Sequence, residues 1–467
     1  MNTTLTWLMV LLSVVISLIC AVHALIYKKD PRASLGWITV CLMFPVAGPV
    51  LYTLFGVNRI QSKAEKLKMH NQPASNPQTN QPDSEERIPY RFLVQSRTSL
   101  AVSGAELSRG NQVTMLVNGD QAYPAMLKSI AKAKSYIYLS TYIFESNIIG
   151  HKFCKALALA RQRGVQVKIL IDGIGQIYTW PWTCYLLKKY QLQPACFLPP
   201  KLLPPSIFIN LRNHRKIIII DGTHCYTGGI NIGSSYTSDP KLKVSDVHFR
   251  MQGPITTQVE AIFLRDWRFT TGEKIAPSHP VSGQGLALCR AVEDGPNQAM
   301  NKLSMILVSA VSSARQKIMI MTPYFIPPRE LIGALQAAAL RGVDVSIILP
   351  QKNNLPFMTW ATRNMLWELL QRGVQVYMQP PPFAHSKIFS VDGHYAQIGS
   401  ANIDPRSLRL NFEMNIEIYD RKFTLELDKF CQQTKDRSRQ ITLEEVDGRS
   451  LPIRIRDSFC WLFSPYL

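Results

Sequence analysis

The residues of this chain best suited to chemistry come in two matching sets. His214, Lys216 and Asp221 lie in NHRKIIIIDG, and His385, Lys387 and Asp392 lie in AHSKIFSVDG, so the spacing H-x-K-x4-D occurs twice. Each copy then runs to a glycine-led turn, Gly228-Gly229-Ile230-Asn231 and Gly399-Ser400-Ala401-Asn402. The interval from His214 to His385 equals that from Asp221 to Asp392. Such a set suits a phosphodiester. Two ammonium groups can neutralise the non-bridging oxygens and stabilise the charge of the transition state, a role that makes a metal unnecessary. Asn231 and Asn402 offer further donors. One neutral imidazole can attack phosphorus and form a covalent intermediate. The other, protonated, can give its proton to the leaving alkoxide. Neighbours can push two histidines of one pocket into such opposite roles. A carboxylate on the second ring nitrogen would fix each tautomer. Asp246, downstream of His214, and Glu413, downstream of His385, are the candidates.

Side chains alternate along a strand, so a strand through His214-Arg215-Lys216 and the four isoleucines puts His214 and Lys216 on one face. Asp221 ends that strand where the chain turns, and the second copy repeats the plan. Upstream, Tyr136–Ser140 and Ile318–Thr322 read as strands, each followed by a helix and then a second strand, 165–171 and 343–349. Gly164 and Gly342 suit the ends of those helices. Alternating strands and helices predict α/β layers. The seam between copies falls at Ala276–Pro296, rich in Pro, Gly and Ser. Packing the halves about a pseudo-twofold axis would bring both His–Lys pairs face to face in one shared site. Asp172-Gly173-Ile174-Gly175 lacks a nucleotide-binding fingerprint and reads as a loop.

The chain has 467 residues, too many for one ordinary core. Its net charge of +20 favours an anionic partner, lipid headgroups or nucleic acid. Nine scattered cysteines without a C-x-x-C pair give no disulfide framework or zinc site. The N-terminus points to lipid. Leu5–Tyr27 and Leu35–Phe55 are apolar runs, each about long enough to cross a hydrocarbon core of about 30 Å, and Tyr27–Arg32 is the turn between them. This predicts a two-helix membrane hairpin, with Pro45, Gly48 and Pro49 able to kink its second arm. A cleaved signal peptide fits poorly, because no Lys or Arg precedes the first run. Lys and Arg counts on the two sides nearly tie, so charge bias leaves the orientation open. Four segments follow: a hairpin, 1–60; a basic and then polar linker, 61–89; and two α/β domains, 90–282 and 283–467. The stretches Phe197–Phe208 and Met378–Phe383 either line an acyl-chain entrance or form rigid loops. The closing run, with Arg454, Arg456, Phe459, Trp461, Phe463 and Tyr466, suits a bilayer interface or a docked element.

The duplicated pattern resembles that of the phospholipase D superfamily. The wider match is similar to its bacterial cardiolipin synthase branch, and it covers nearly the whole chain. It rests on the apolar N-terminus, NHRKIIIIDG with YTGGINIG, MTPYFIPP, HSKIFSVDG and IGSANIDPRSLRLNFE. Ser245 and Gly229 depart from residues common in relatives, and neither change removes a catalytic group. The resemblance implies a membrane phosphatidyl transferase that joins two phosphatidylglycerols into cardiolipin and glycerol through a phosphatidyl-histidine, without cofactor or metal. It favours His214 as nucleophile and His385 as acid, which the sequence alone treats as equivalent. It has Lys216 and Lys387 bind phosphate, with Asp221 and Asp392 bracing the catalytic set. It implies a multi-pass protein of the bacterial inner membrane with its catalytic body on the cytoplasmic face, anionic lipid partners and no nucleic acid. The alternatives are a phospholipase D releasing phosphatidic acid, a membrane-tethered nuclease and a non-catalytic scaffold. The sequence is silent on oligomeric state.

Overall fold

The computed structural model describes residues 3–28, 31–56, 88–200, 211–238, 242–279, 281–296 and 301–464. Most of the expected linker, residues 201–208 of the first proline-rich stretch and Tyr466 lie outside them. The chain divides into two compact units, 1–74 and 75–467.

In the first unit, α1 (Thr3–Tyr27) carries no charged residue. Within it Thr4–Tyr27 has a mean hydropathy of 2.7, and its 24 residues extend about 36 Å, enough to cross a membrane. The second apolar run does not form a comparable helix. It breaks into α2 (Pro31–Met43), a turn at Phe44–Val46, α3 (Ala47–Leu51) and a π-helical turn, Tyr52–Gly56. Two residues cause the break. Pro45 has no N–H to continue the ladder of α2. Gly48 turns back against α2 so closely that a Cβ there would lie 2.4 Å from the Val40 carbonyl oxygen. Polar groups bind the pieces together: Ser17 Oγ donates to the Cys41 carbonyl, Ser34 Oγ to the Ala24 carbonyl (3.1 Å), and His23 Nδ1 meets the Tyr52 hydroxyl at 2.7 Å.

The second unit is built on one 15-stranded sheet and a separate pair of short strands, one from each half. Its first half supplies β1 (Ser108–Val117), β2 (Tyr136–Thr141), β3 (Gln166–Asp172), β4 (Pro194–Phe197), β5 (Ile217–Ile220) and β6 (His224–Gly228). A short β7 (Val244–Ser245) and β8 (Val247–Gln252) follow. The second half supplies β9 (Ala287–Asp294), β10 (Lys317–Met321), β11 (Asp344–Pro350), β12 (Gln375–Gln379), β13 (Phe383–Ala384) and β14 (Ile388–Val391). It closes with β15 (Tyr395–Gly399), β16 (Glu413–Tyr419) and β17 (Arg439–Ile441). The halves join where β1 pairs antiparallel with β9. Outward from that junction one half runs β1-β8-β6-β5-β2-β3-β4 and the other β9-β16-β15-β14-β10-β11-β12, then β17. The same plan is thus laid down twice, and one core cluster draws side chains from both halves, including Phe249, Phe263, Ile388 and Met414.

β5 is an unbroken run of four isoleucines, all of them buried within the covered sheet. The turn after β5 shows why each copy has aspartate followed by glycine. Thr223 N–H donates to the Ile220 carbonyl, with Asp221 (φ 50°) and Gly222 (φ 62°) both left-handed between them. Asp392 (φ 50°) and Gly393 (φ 65°) repeat this type I′ geometry between β14 and β15. At its far end, the helix Leu451–Leu462 docks on Pro356–Leu370. The Arg456 guanidinium lies 4.5 Å from the Trp360 ring centre, and Ser458 Oγ donates to Asn364 at 3.0 Å.

Candidate active site

The expected strand through His214 begins late. Residues 214–216 precede the β5 ladder, which starts at Ile217, and their backbone reaches across to the other half. Asn213 bridges Phe412 in parallel, Phe412 N–H donates to the Arg212 carbonyl (2.9 Å), and His214 N–H donates to the Phe412 carbonyl (3.0 Å). The second copy does the same with β13, which pairs in parallel with β7, Ala384 opposite Ser245. His385 N–H donates to the Ser245 carbonyl at 2.8 Å. In both places the residue before the histidine lies opposite the residue before an acid.

That register decides which acid meets which histidine. His214 Nδ1 lies 3.0 Å from Glu413 Oε1 and 3.3 Å from Oε2, while His385 Nδ1 lies 2.8 Å from Asp246 Oδ2. Each imidazole is therefore held by a carboxylate of the opposite repeat. With Nδ1 on the acid, Nε2 is the free ring nitrogen of both. The lysines lie beside their histidines, Lys216 Nζ donating to the His214 carbonyl at 2.6 Å and Lys387 Nζ to the His385 carbonyl. Arg215, between His214 and Lys216, points away into a buried pair with Asp266 (2.6 Å) and donates from Nε to the Glu413 carbonyl (3.0 Å). It ties the first motif to β16.

The two pairs act on one another electrostatically. Burial first, then partly the neighbouring lysines, lowers both imidazoles: Lys216 and Lys387 on His214, and Lys387, Lys216 and His214 on His385, which falls well below its ordinary value. Burial and then the charge of Lys387 bring Lys216 down to about 7, despite the attraction of Glu413. Lys387 is lowered by burial to about 8, opposed by Asp246 and Glu413. The carboxylates differ. Burial raises Asp246 to about 6. Glu413 is equally buried, yet it lies below its ordinary value, because His214, Lys216 and the Ser400 hydroxyl (2.5 Å) outweigh desolvation.

The remaining expected residues hold the framework. Asp221 accepts from the backbone N–H groups of Lys134, Ser135 and Tyr136 at 2.8–2.9 Å. Asp392 accepts from those of Arg315, Gln316 and Lys317 at 2.8–3.0 Å. Both carboxylates are thus occupied by the chain entering β2 and β10. The Asn231 amide is likewise engaged, accepting from Ile143 N–H (3.2 Å) and donating to the Tyr236 hydroxyl (3.0 Å). Asn402 Oδ1, buried beside Lys387, has no hydrogen-bond partner among the described residues. Among those residues no group of three or more His, Cys, Asp or Glu is gathered to hold a metal. Sequence reasoning missed Ser400 as a carboxylate donor and Tyr142, whose ring lies 5.2 Å from His214 and 5.6 Å from Lys216 Nζ. Ser400 stood in the glycine-led turn; nothing in the spacing marked Tyr142. A cavity of about 770 Å³ borders His224, Gln252 and Asp420 and none of these four His and Lys side chains.

Comparison with known proteins agrees with this architecture. The family described as cardiolipin synthase, PLD-like domain, matches residues 126–267 and 307–434, and a phospholipase D-nuclease N-terminal family matches 15–56. The major cardiolipin synthase ClsA of Bacillus subtilis is 34% identical, the match covering 94% of this chain and 95% of that one. The cardiolipin synthase of Listeria welshimeri is 31% identical, with 99% of both chains covered. The crystal structure of phosphatidylserine synthase from Haemophilus influenzae Rd KW20 shares the fold, with a TM-score of 0.64 at 16% identity over 80% of this chain and all of that one. The chain has an N-terminal helix long and apolar enough to cross a membrane, and it belongs to the cardiolipin synthase family of phospholipase D-like enzymes.

Proposed function

We propose that this enzyme makes cardiolipin and glycerol from two phosphatidylglycerol molecules at a single site shared by its two repeats. The observation that carries the reading is the crosswise pairing, in which each repeat's histidine is oriented by the other repeat's acid. A pocket so built works only when both halves meet at one phosphorus. His214, kept neutral by burial, attacks the first phosphorus through Nε2. The bond to the headgroup glycerol breaks, and His385, which burial and the lysines hold neutral in the empty site and which the negative charge of the bound phosphodiester would help to protonate, gives its proton to the departing alkoxide. His385, now neutral, takes the proton from the terminal hydroxyl of a second phosphatidylglycerol. That oxygen attacks the phosphatidyl-histidine, and His214 leaves. Lys216 and Lys387 carry the charge of both transition states. Phosphodiester is exchanged for phosphodiester, so the balance needs no nucleotide.

The matched strand order supports a pseudo-twofold relation between the domains 90–282 and 283–467. The packing of α1 on α2 supports a hairpin of which α1 alone is long enough to span the membrane; the bacterial inner membrane, a catalytic body on its cytoplasmic face, and anionic lipids rather than nucleic acid as partners belong to the same proposal and rest on the family. The test is to supply the purified protein with phosphatidylglycerol bilayers and identify every product. Cardiolipin and glycerol in equal amounts are expected; phosphatidic acid in place of cardiolipin, with glycerol still released, would make the enzyme a hydrolase.

A further inference from the structure

The loop after β3 holds a cluster of aromatic side chains out in solvent. Trp180 is 84% exposed and Trp182 52%, and Tyr178, Tyr185 and Ile148 are each more than half exposed. The fold does not require them there, because the corresponding loop after β11, 351–355, reads QKNNL. Nor is the loop slack. Asp172 Oδ1 accepts from Ile174 and Gly175 N–H (2.9 and 3.0 Å). Ser146 N–H donates to Thr179 Oγ1 (2.9 Å), and Ser146 Oγ donates to the Pro181 carbonyl (2.5 Å). Thr183 Oγ1 donates to the Phe144 carbonyl at 2.6 Å. The indoles are presented by a firm scaffold, Trp180 edge-on to Trp182. The cluster leads to the site: Tyr178 lies 6.0 Å from the Tyr142 ring, and Tyr142 lies 5.2 Å from His214. Exposed Lys188 and Lys189 close the adjoining helix, Thr183–Lys189.

We propose that this loop is a bilayer-docking element, in which Tyr178, Trp180, Trp182 and Tyr185 enter the interface of an anionic membrane while Lys188 and Lys189 meet its headgroups. Indole and phenol rings favour the headgroup level, where an apolar body and a polar edge are both satisfied. Basic side chains close to an anionic surface add attraction. A net charge of +20 gives the same preference. The loop would seat the His214 side of the site on the surface that holds its substrate, an inference that rests on the lipid reading above.

The test uses the full chain in nanodiscs of phosphatidylglycerol and phosphatidylcholine, with or without dibrominated acyl chains, comparing native protein with the W180F/W182F double variant. All other tryptophans are common to both, so the difference in emission reports the two loop indoles. Bromine-dependent quenching of that difference is expected, and its absence would overturn the proposal. In a second arm, W180S/W182S should lower turnover of bilayer phosphatidylglycerol by about tenfold at low mole fraction and leave turnover of monomeric short-chain phosphatidylglycerol unchanged. Equal losses on both substrates would also overturn it, as would unquenched indoles with cross-links between protein copies. The quenching arm does not depend on turnover. Native protein that quenches but consumes neither lipid would sink the proposed function and leave the docking element standing.

Discussion

Replacing Glu413 by glutamine tests the crosswise pairing, because it alters one charge and almost no volume. In the native site the carboxylate lies 3.0 Å from His214 Nδ1; Glu413 is fully buried and the His214 side chain is 14% exposed. In the proposed mechanism the His214 ring becomes cationic as it attacks phosphorus, and Glu413 stabilises that charge. For unit charges about 4 Å apart at an effective dielectric constant of about 20, the interaction is about 4 kcal/mol. Glutamine keeps an acceptor and loses that term, so kcat is expected to fall about a thousandfold with little change in KM. The size of this fall does not by itself say which histidine Glu413 serves.

A leaving-group series does. With phosphatidyl-p-nitrophenol the departing oxygen needs no proton, so variants damaged in acid catalysis recover part of their rate and variants damaged in attack do not. H385A and D246N are expected to recover about tenfold or more relative to native enzyme, and H214A and E413Q to recover nothing. Thermal unfolding in detergent confirms that each variant is folded. The sorting survives an exchange of the two histidines' roles, since the pairs His214–Glu413 and His385–Asp246 would exchange together. Grouping of E413Q with H385A would mean that each acid serves its own repeat, and the geometric argument would fail.

Two other outcomes follow from the cited contacts. D221A removes a carboxylate that accepts from three backbone N–H groups, so chemical denaturation should show a loss of about 3 kcal/mol or more; the fraction that stays folded should keep kcat within about tenfold of native, because Asp221 touches no reacting atom. Inhibition by a glycerophosphodiester should weaken as pH rises, since the lysines bind the anion when protonated and in the empty site they release protons at about 7 and about 8. The inhibition constant should be flat below about pH 7 and then climb by up to about tenfold per pH unit per lysine; Lys216→Met should remove the lower break, and a flat profile to pH 10 would contradict the burial argument.

The chemistry of this site is written locally, and its assembly is not. The aspartate–glycine turns, the apolar strands and the repeated His–Lys spacing all follow from short stretches of chain, whose backbone geometry is set by a few neighbours. Asp246 and Glu413 were visible as candidate acids, but the partner of each depends on how the repeats dock. Docking rests on Asn213 opposite Phe412 and Ala384 opposite Ser245, contacts between residues far apart in sequence. The strand expected through His214 failed for the same reason: the backbone that would have paired within its own half pairs with the other. In the membrane segment, Pro45 and Gly48 signalled a kink. The close return of Gly48 against Val40, which makes the kink a full break, needed coordinates. The aromatic loop was hidden by its start, where Asp172-Gly173-Ile174-Gly175 drew attention to glycine and away from the rings that follow.

Duplication also lets the two carboxylates diverge. Ser400 and Gly229 hold matching places in the two glycine-led turns, and the serine hydroxyl donates to Glu413 at 2.5 Å. At Gly229 a Cβ would lie 2.3 Å from Asp246 Oδ2, so Asp246 occupies the space a serine side chain would need and receives no such hydroxyl. The consequence is chemical. Glu413 stays anionic and suits an imidazole that must carry positive charge while bonded to phosphorus. Asp246, near 6, sits closer to the range in which a proton is easily exchanged and suits an imidazole that gives one up and takes one back in every cycle. The difference between the carboxylates, set for Glu413 first by His214 and Lys216 and then by the Ser400 hydroxyl, supports the proposed assignment of His214 as nucleophile and His385 as proton carrier.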